Sequence, residues 1–304
     1  MEPITTKQRI LNSPLTRIIL GILVCFITFI IAQQLTGKTL ELTSLNKNYR
    51  NLIKGIISSA TVICTYIYFF KKYEKREVKE FSSKGIAKYI IVGTLIGAIL
   101  QSLTILVIFF KGGFEIVSSN PISNIIIPLT IAFTIAIFEE ILIRGIIFRI
   151  VEEKLGSYIS LLITAIIFGA LHLANPNSTL LSGLCVGIEA GLLMGSAYIC
   201  ARNLWFPIAI HFAWNFMQSG IFGAVTSGNE KTNSLLTTKI TGNQLITGGE
   251  FGPEATIQAI IFCVFASIIL MKLSKNKLVN PYWKRETASN NNEVTQPLQE
   301  VQKV

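Results

Sequence analysis

The chain is short of charge. Only 14% of its 304 residues are Asp, Glu, Lys or Arg, while 51% are hydrophobic. A soluble domain carries about 25% charged residues. The deficit argues against an ordinary water-soluble fold and points to a membrane protein. Histidine is rarer still, with two in the whole sequence. The five cysteines, Cys25, Cys64, Cys185, Cys200 and Cys263, form no CxxC pair, and each sits in an apolar run. They read as small buried hydrophobes, not as a disulfide framework or a zinc knuckle. No HExxH segment occurs, so the helix of the zincin proteases is missing. No repeat of the solenoid kind is present.

What the chain has in excess is positive charge, a net +10. The basic residues fall in short gaps between apolar runs and in the tail. They do not line one amphipathic face, which argues against a nucleic-acid partner. The pattern fits the cytoplasmic excess of Lys and Arg in membrane proteins.

A bilayer-crossing helix needs about 20 mostly apolar residues. Eight runs qualify, at roughly 17–36, 52–71, 87–110, 124–148, 157–175, 179–200, 204–222 and 256–273. The expected fold is therefore all-α, a polytopic membrane bundle of about eight transmembrane helices. The first run, Ile18 to Ala32 at its core, resembles a signal peptide but leads on into seven more, so it reads as a retained helix. The gap KKYEKREVKEFSSKG, Arg149 with Lys154, Arg202 and the KLSKNK tail mark one side as cytoplasmic. The alternate gaps are poorer in basic residues, except the first, with Lys38, Lys47 and Arg50. Both termini are thus expected in the cytoplasm of a multi-pass cell-membrane protein.

Residues 1–275 form the integral membrane domain, with a motif core at about 124–222. Residues 276–304, rich in Asn, Gln, Glu and Lys, read as a disordered cytoplasmic tail. The stretch EKREVKEFSSKG has two readings. It lies along the interface with Val78 and Phe81 dipping into lipid, or it is a solvated linker.

Against this background the segment FEEILIRGIIFR, residues 138–149, stands out. Each charge near the centre of a membrane helix costs about 2.5–3.5 kcal/mol on the insertion scale. Such residues face a bundle interior or a wet cavity. The fourth run holds Glu139, Glu140 and Arg144, the fifth His172, the sixth Glu189, and the seventh His211 and Asn215. Both histidines of the protein are among them. Glu140 and Arg144 are i,i+4 with the acid N-terminal, the spacing for pairing along one helix face. Glu139 has Ile143 at that spacing, so it is free to face elsewhere. Phe168 with His172, and His211 with Asn215, are also i,i+4.

Three helices each offer one polar turn. A carboxylate, two imidazoles and an amide suit hydrolysis by an activated water. A glutamate takes a proton from water and returns it to the leaving amine. One imidazole orients the water or shares the base role. The other imidazole and the amide donate to an oxyanion. Each feature alone has a plainer explanation. A Glu–Arg pair is commonly a staple between helices, a lone His a packing group, and Asn215 helix glue. Gly183, Gly187, Gly191 and Gly195 form a ladder that reads as a close-packing face. Glu189 within it has no assigned role.

EEILIR, FGALH and HFAWN resemble the EExxxR, FxxxH and HxxxN motifs of the CPBP (Abi) family. That family holds the type II CAAX prenyl proteases and the bacteriocin-processing enzymes. The loop LITGGEFGPEAT is similar to a segment in some bacterial members. The resemblance implies an intramembrane endopeptidase. In it Glu139 and His172 activate water, His211 and Asn215 form the oxyanion hole, and Glu140 and Arg144 hold the site. Its substrate would be a membrane-associated, prenylated or leader-bearing peptide, such as a peptide pheromone or a bacteriocin precursor. Its other partner is the lipid bilayer. Family names often say metalloprotease, so zinc stays open, with Glu139, His172 and His211 as the candidate ligands. The alternative function is a non-catalytic immunity or scaffold protein of the same fold. A transporter reading is weak, because Pro128 and Pro207 lie near span starts and break no helix.

Overall fold

The computed structural model describes residues 5–285 and is 74% helical. A short helix α1 (Thr6–Leu11) is closed by a capping box between Thr5 and Gln8. Helix α2 (Pro14–Glu41) starts at Pro14, with the Ser13 hydroxyl accepting from the Thr16 N–H. Proline is favoured in that first turn, where its missing N–H costs nothing. The 28 residues of α2 span about 42 Å at 1.5 Å per residue, more than the ~30 Å hydrocarbon core. Helices α3 (Lys47–Tyr73) and α4 (Ile86–Phe110) follow.

Helix α5 (Ile126–Glu140) runs through a π turn, Ile141–Phe148, into α6 (Arg149–His172). The long helix bends at Gly156, whose φ of 75° is non-helical. That bend parts the fourth and fifth apolar runs. Helix α7 (Leu180–Val186) passes through a second π turn, Gly187–Gly191, into α8 (Leu192–Ala201). Helix α9 (Trp205–Asn215) ends in a third, Phe216–Ile221. A short α10 (Gln244–Thr247) precedes α11 (Ile257–Leu273).

Among the described residues five stretches are long and apolar enough to cross a bilayer: Pro14–Glu41, Lys47–Tyr73, Ile86–Phe110, Ile122–His172 and Leu180–Ala201. The fourth of these holds two of the expected runs. The last two runs are helical but shorter, α9 with its π turn and the 17-residue α11. The architecture is the expected polytopic helical bundle. One addition lies outside it. β1 (Phe114–Ser119) and β2 (Leu236–Ile240) pair antiparallel, with Phe114 opposite Ile240.

The glycine ladder packs α7 and α8 onto α6. A Cβ on Gly191 would lie 2.7 Å from the Ala165 Cα, and one on Gly187 2.9 Å from the Ala165 carbonyl oxygen. Only small residues allow backbones to approach this closely in a membrane.

One end of the bundle gathers the charged gaps. Arg17, Arg76 and Arg149 converge on Glu74 at 2.7, 2.6 and 2.9 Å. In the segment after α3, Lys75, Glu77, Lys79 and Lys84 are exposed, while Val78 and Phe81 turn partly inward. Phe81 packs edge-on against Tyr66 and Trp205, and Val78 and Phe81 both pack on the protein core. Of the expected disordered tail, residues 276–285 are placed against the bend in α6. The Ser157 N–H donates to the Val279 carbonyl at 2.9 Å, and the Val279 N–H to the Ser157 hydroxyl at 2.8 Å. The rest of that tail, 286–304, lies outside the described residues.

Burial alone would push the Glu74 carboxyl up, but Arg149, then Arg76 and Arg17, hold it below its ordinary value. A depressed carboxylate stabilises the fold above its unfolded pKa, and that stability drains as pH falls through the folded value. Melting in detergent should therefore weaken below about pH 4.5. Glu74→Gln should be less stable at neutral pH, with a flatter dependence in the acid range. Parallel slopes for the two proteins would contradict this assignment.

Candidate active site

The six candidate residues come from three segments and meet around one cavity and its back wall. Glu139 and Glu140 end α5, and Arg144 lies in the π turn that follows. His172 ends α6, and His211 and Asn215 lie on α9. Residues adjacent on a helix point about 100° apart, and the two glutamates are separated accordingly.

Glu140 points into protein. Its Oε1 accepts from Arg144 Nη1 at 2.9 Å, and both side chains are fully buried. Arg144 Nη2 donates to the carbonyls of Ala190 and Gly191 at 3.1 and 3.2 Å. Its guanidinium lies over the Phe168 ring, 4.8 Å from the centroid. Arg144 thus ties its own π turn to the one at 187–191, where the helix step is widened. His211 Nδ1 lies 3.0 Å from Glu140 Oε1. A carboxylate paired with Arg only accepts, so Nδ1 carries the hydrogen.

Glu139 points the other way. Its side chain is 30% exposed, and Oε2 lies 3.9 Å from His211 Nε2. That Oε2 is itself buried and has no hydrogen-bond partner. His172 Nδ1 lies 2.9 Å from the Phe168 carbonyl. A carbonyl also only accepts, so in the neutral ring the free lone pair is on Nε2.

Glu139, His172, His211 and Asn215 line a cavity of about 410 Å³. One wall is apolar, from Pro128, Ile131 and Ile135 of α5. Polar lining comes from Ser219, Ser227, Asn229 and Glu230. This combination of apolar lining and a few convergent polar groups is that of a ligand site. A larger groove, about 650 Å³, lies between α2 and α3, but Lys72 is its only charged lining residue. It carries none of the chemistry.

Behind the two histidines is a chamber of about 20 Å³, lined by Glu189 and Glu254 among others. Glu254 accepts from Gln218 Nε2 at 3.0 Å. This is where Glu189, unassigned from sequence, finds its surroundings. Glu254 and Gln218 were not singled out from sequence. Glu254 lies in the 3-10 turn Pro253–Ala255, within the segment LITGGEFGPEAT, which is its signal in the sequence, and Gln218 is one amide beyond the HxxxN turn. The three π turns were also not foreseen. Two of them follow directly on site residues, Glu140 and Asn215, and the third contains Glu189. Such turns occur frequently at functional sites.

The zinc expectation meets the donor geometry poorly. Among the described residues no group of three or more His, Cys, Asp or Glu side chains is arranged to hold a metal ion. Glu140, the carboxylate nearest to His211, is already committed to Arg144. The candidate ligands Glu139, His172 and His211 share the cavity without forming a closed donor set.

Residues 121–217 match the family model described as type II CAAX prenyl endopeptidase Rce1-like, consistent with a CPBP family intramembrane protease. The matched stretch contains all six candidate residues. No curated protein and no solved structure matches the chain.

Proposed function

We propose, with the Rce1-like endopeptidase domain of residues 121–217 as the premise, that this membrane protein hydrolyses a peptide bond of a membrane-associated peptide by a water activated at Glu139. One observation carries the reading. Of two adjacent glutamates, Glu140 is sealed against Arg144, while the partnerless Glu139 faces the cavity it shares with His172, His211 and Asn215.

The chemistry follows from the donors and acceptors. Water in the cavity gives a proton to Glu139, and the His172 Nε2 lone pair orients it. The hydroxide attacks the peptide carbonyl. The oxyanion accepts from the Asn215 amide and from the Nε2–H of His211 in its imidazolium form, whose Nδ1–H donates to Glu140. Glu139 then returns its proton to the leaving amine, which departs neutral. A base of this kind contributes about 10²–10⁴ in rate. No step runs through a metal. The substrate in this reading is a peptide pheromone, a bacteriocin precursor or another leader-bearing or prenylated peptide. Comparing the membrane peptidome of cells carrying wild type and Glu139→Ala tests it. Fragments that vanish with the variant identify the substrate. Identical peptidomes would favour an immunity or scaffold role.

The orientation is part of the proposal. The charged end with Arg17, Arg76 and Arg149 faces the cytoplasm, together with both termini. The part of the cavity lined by Thr232 faces outward. A reporter fused after residue 80 should behave as cytoplasmic, and one near Thr232 as external. The opposite result at both sites would overturn this.

A further inference from the structure

We infer that Tyr66 and Arg149 are positioning residues for Glu139, acting through the backbone carbonyl of Gly145. This rests on the hydrolytic reading above. Gly145 lies inside the π turn that follows Glu140. Two side-chain donors meet on its carbonyl. The Tyr66 hydroxyl, from α3, donates at 2.8 Å, and Arg149 Nε donates at 3.0 Å. Both residues are buried.

The phenol has one hydrogen to give. Its competing acceptor, Glu80 Oε1, is farther away at 3.3 Å. Arg76 Nη2, at 3.5 Å, is a donor and faces the phenol oxygen. The hydrogen therefore goes to Gly145. The glycine makes the approach possible: a Cβ there would lie 3.1 Å from Tyr66 Cε2 and 3.2 Å from Leu204 Cδ1.

The carbonyl matters because of where it sits. A π turn bonds residues five apart instead of four and is rare. It accommodates an extra residue, and one residue is worth about 100° of helix rotation. If the turn relaxed to an α-helix, Glu139 and Glu140 would rotate by about that angle relative to α6. Glu139 would then leave the cavity. Two buried donors on one carbonyl of the turn hold it wide. Arg149 is itself anchored by Glu74 at 2.9 Å and Glu153 at 3.0 Å. The charged end of the bundle is thereby linked to the orientation of the base.

The test has two arms. In the first, the probe is a synthetic peptide spanning the Glu139-dependent cleavage site found by the peptidome comparison. Tyr66→Phe should lower kcat by about 10- to 100-fold, as small misplacements of a reacting group do. KM and membrane abundance should stay near wild type. The second arm needs no substrate. In a chain with its five cysteines changed to Ala, Glu139→Cys is labelled with a methanethiosulfonate reagent. Adding Tyr66→Phe should slow that labelling several-fold.

Unchanged kcat and unchanged labelling would overturn the inference. So would a loss of stability with wild-type kcat per folded molecule. If Tyr66→Phe fails to accumulate, Gly145→Ala, which pushes the same ring away, is put through the labelling arm and decides in the same way. A Glu139→Gln protein that still cleaves the peptide would remove the hydrolytic reading, while the labelling arm would still decide whether the turn is held by Tyr66.

Discussion

Glu139→Gln should accumulate normally in the membrane and lose nearly all cleavage. The substitution keeps the size of the side chain and its capacity to hydrogen-bond. It removes only the ability to take a proton from water. Loss of a general base costs about 10²–10⁴ in rate. Folding should be spared because Glu139 is 30% exposed and pairs with nothing along its helix. His172→Ala should behave alike, since the imidazole contributes only one bond, to the Phe168 carbonyl. Asn215→Ala should lose less, about 10²–10³ for a single oxyanion donor. Rates of the purified variants in vesicles, normalised to folded protein, check all three. A Glu139→Gln enzyme at wild-type rate would leave the cavity without its proposed base.

Arg144→Ala should fail at an earlier stage, in abundance and stability. Arg144 is fully buried and answers Glu140 Oε1 together with the carbonyls of Ala190 and Gly191. Its removal strands a carboxylate and two carbonyls where water is scarce. Breaking a buried pair by deleting one partner costs about 3–5 kcal/mol, a large share of the 5–15 kcal/mol that holds a typical protein together. Two π turns also lose the group that bridges them. The double variant Glu140→Gln with Arg144→Met should recover part of the abundance, because it leaves no unpaired charge. Recovery of cleavage is not expected, since His211 would lose the carboxylate that orients Nδ1. Arg144→Ala at wild-type level and activity would show that the pair is dispensable.

Much of this was legible in the sequence, for physical reasons. The bilayer imposes helices of about 20 apolar residues, so the runs and their order could be read off directly. Charges inside such runs are expensive enough to be informative. The i,i+4 rule was sufficient to commit Glu140 to Arg144 and to release Glu139. Other features leave no local trace. The π turns are built from the same apolar residues as the α-helices around them. Their stability comes from tertiary donors such as Tyr66 and Arg144, distant in sequence or bonding across helices. Glu254 has a sequence signal in LITGGEFGPEAT but reaches the site from the 3-10 turn Pro253–Ala255, more than 80 residues beyond His172 in the chain. Val78 and Phe81 are half-buried against protein, and Phe81 meets an aromatic face from Tyr66 and Trp205, which lie far from it in sequence. The pairing of β1 with β2 joins segments on either side of five helices, a separation that local pattern cannot bridge.

The central claim is that water held at Glu139 cleaves a peptide bond inside the membrane. The most direct measurement is cleavage by the purified protein in vesicles made up in ¹⁸O-labelled water, read by mass spectrometry. The account predicts a new C-terminus that carries one labelled oxygen in the wild-type reaction, and no such fragment with Glu139→Gln. Fragments of equal yield from both proteins, or no fragment from the folded wild type on the peptides that the peptidome comparison identifies, would contradict it.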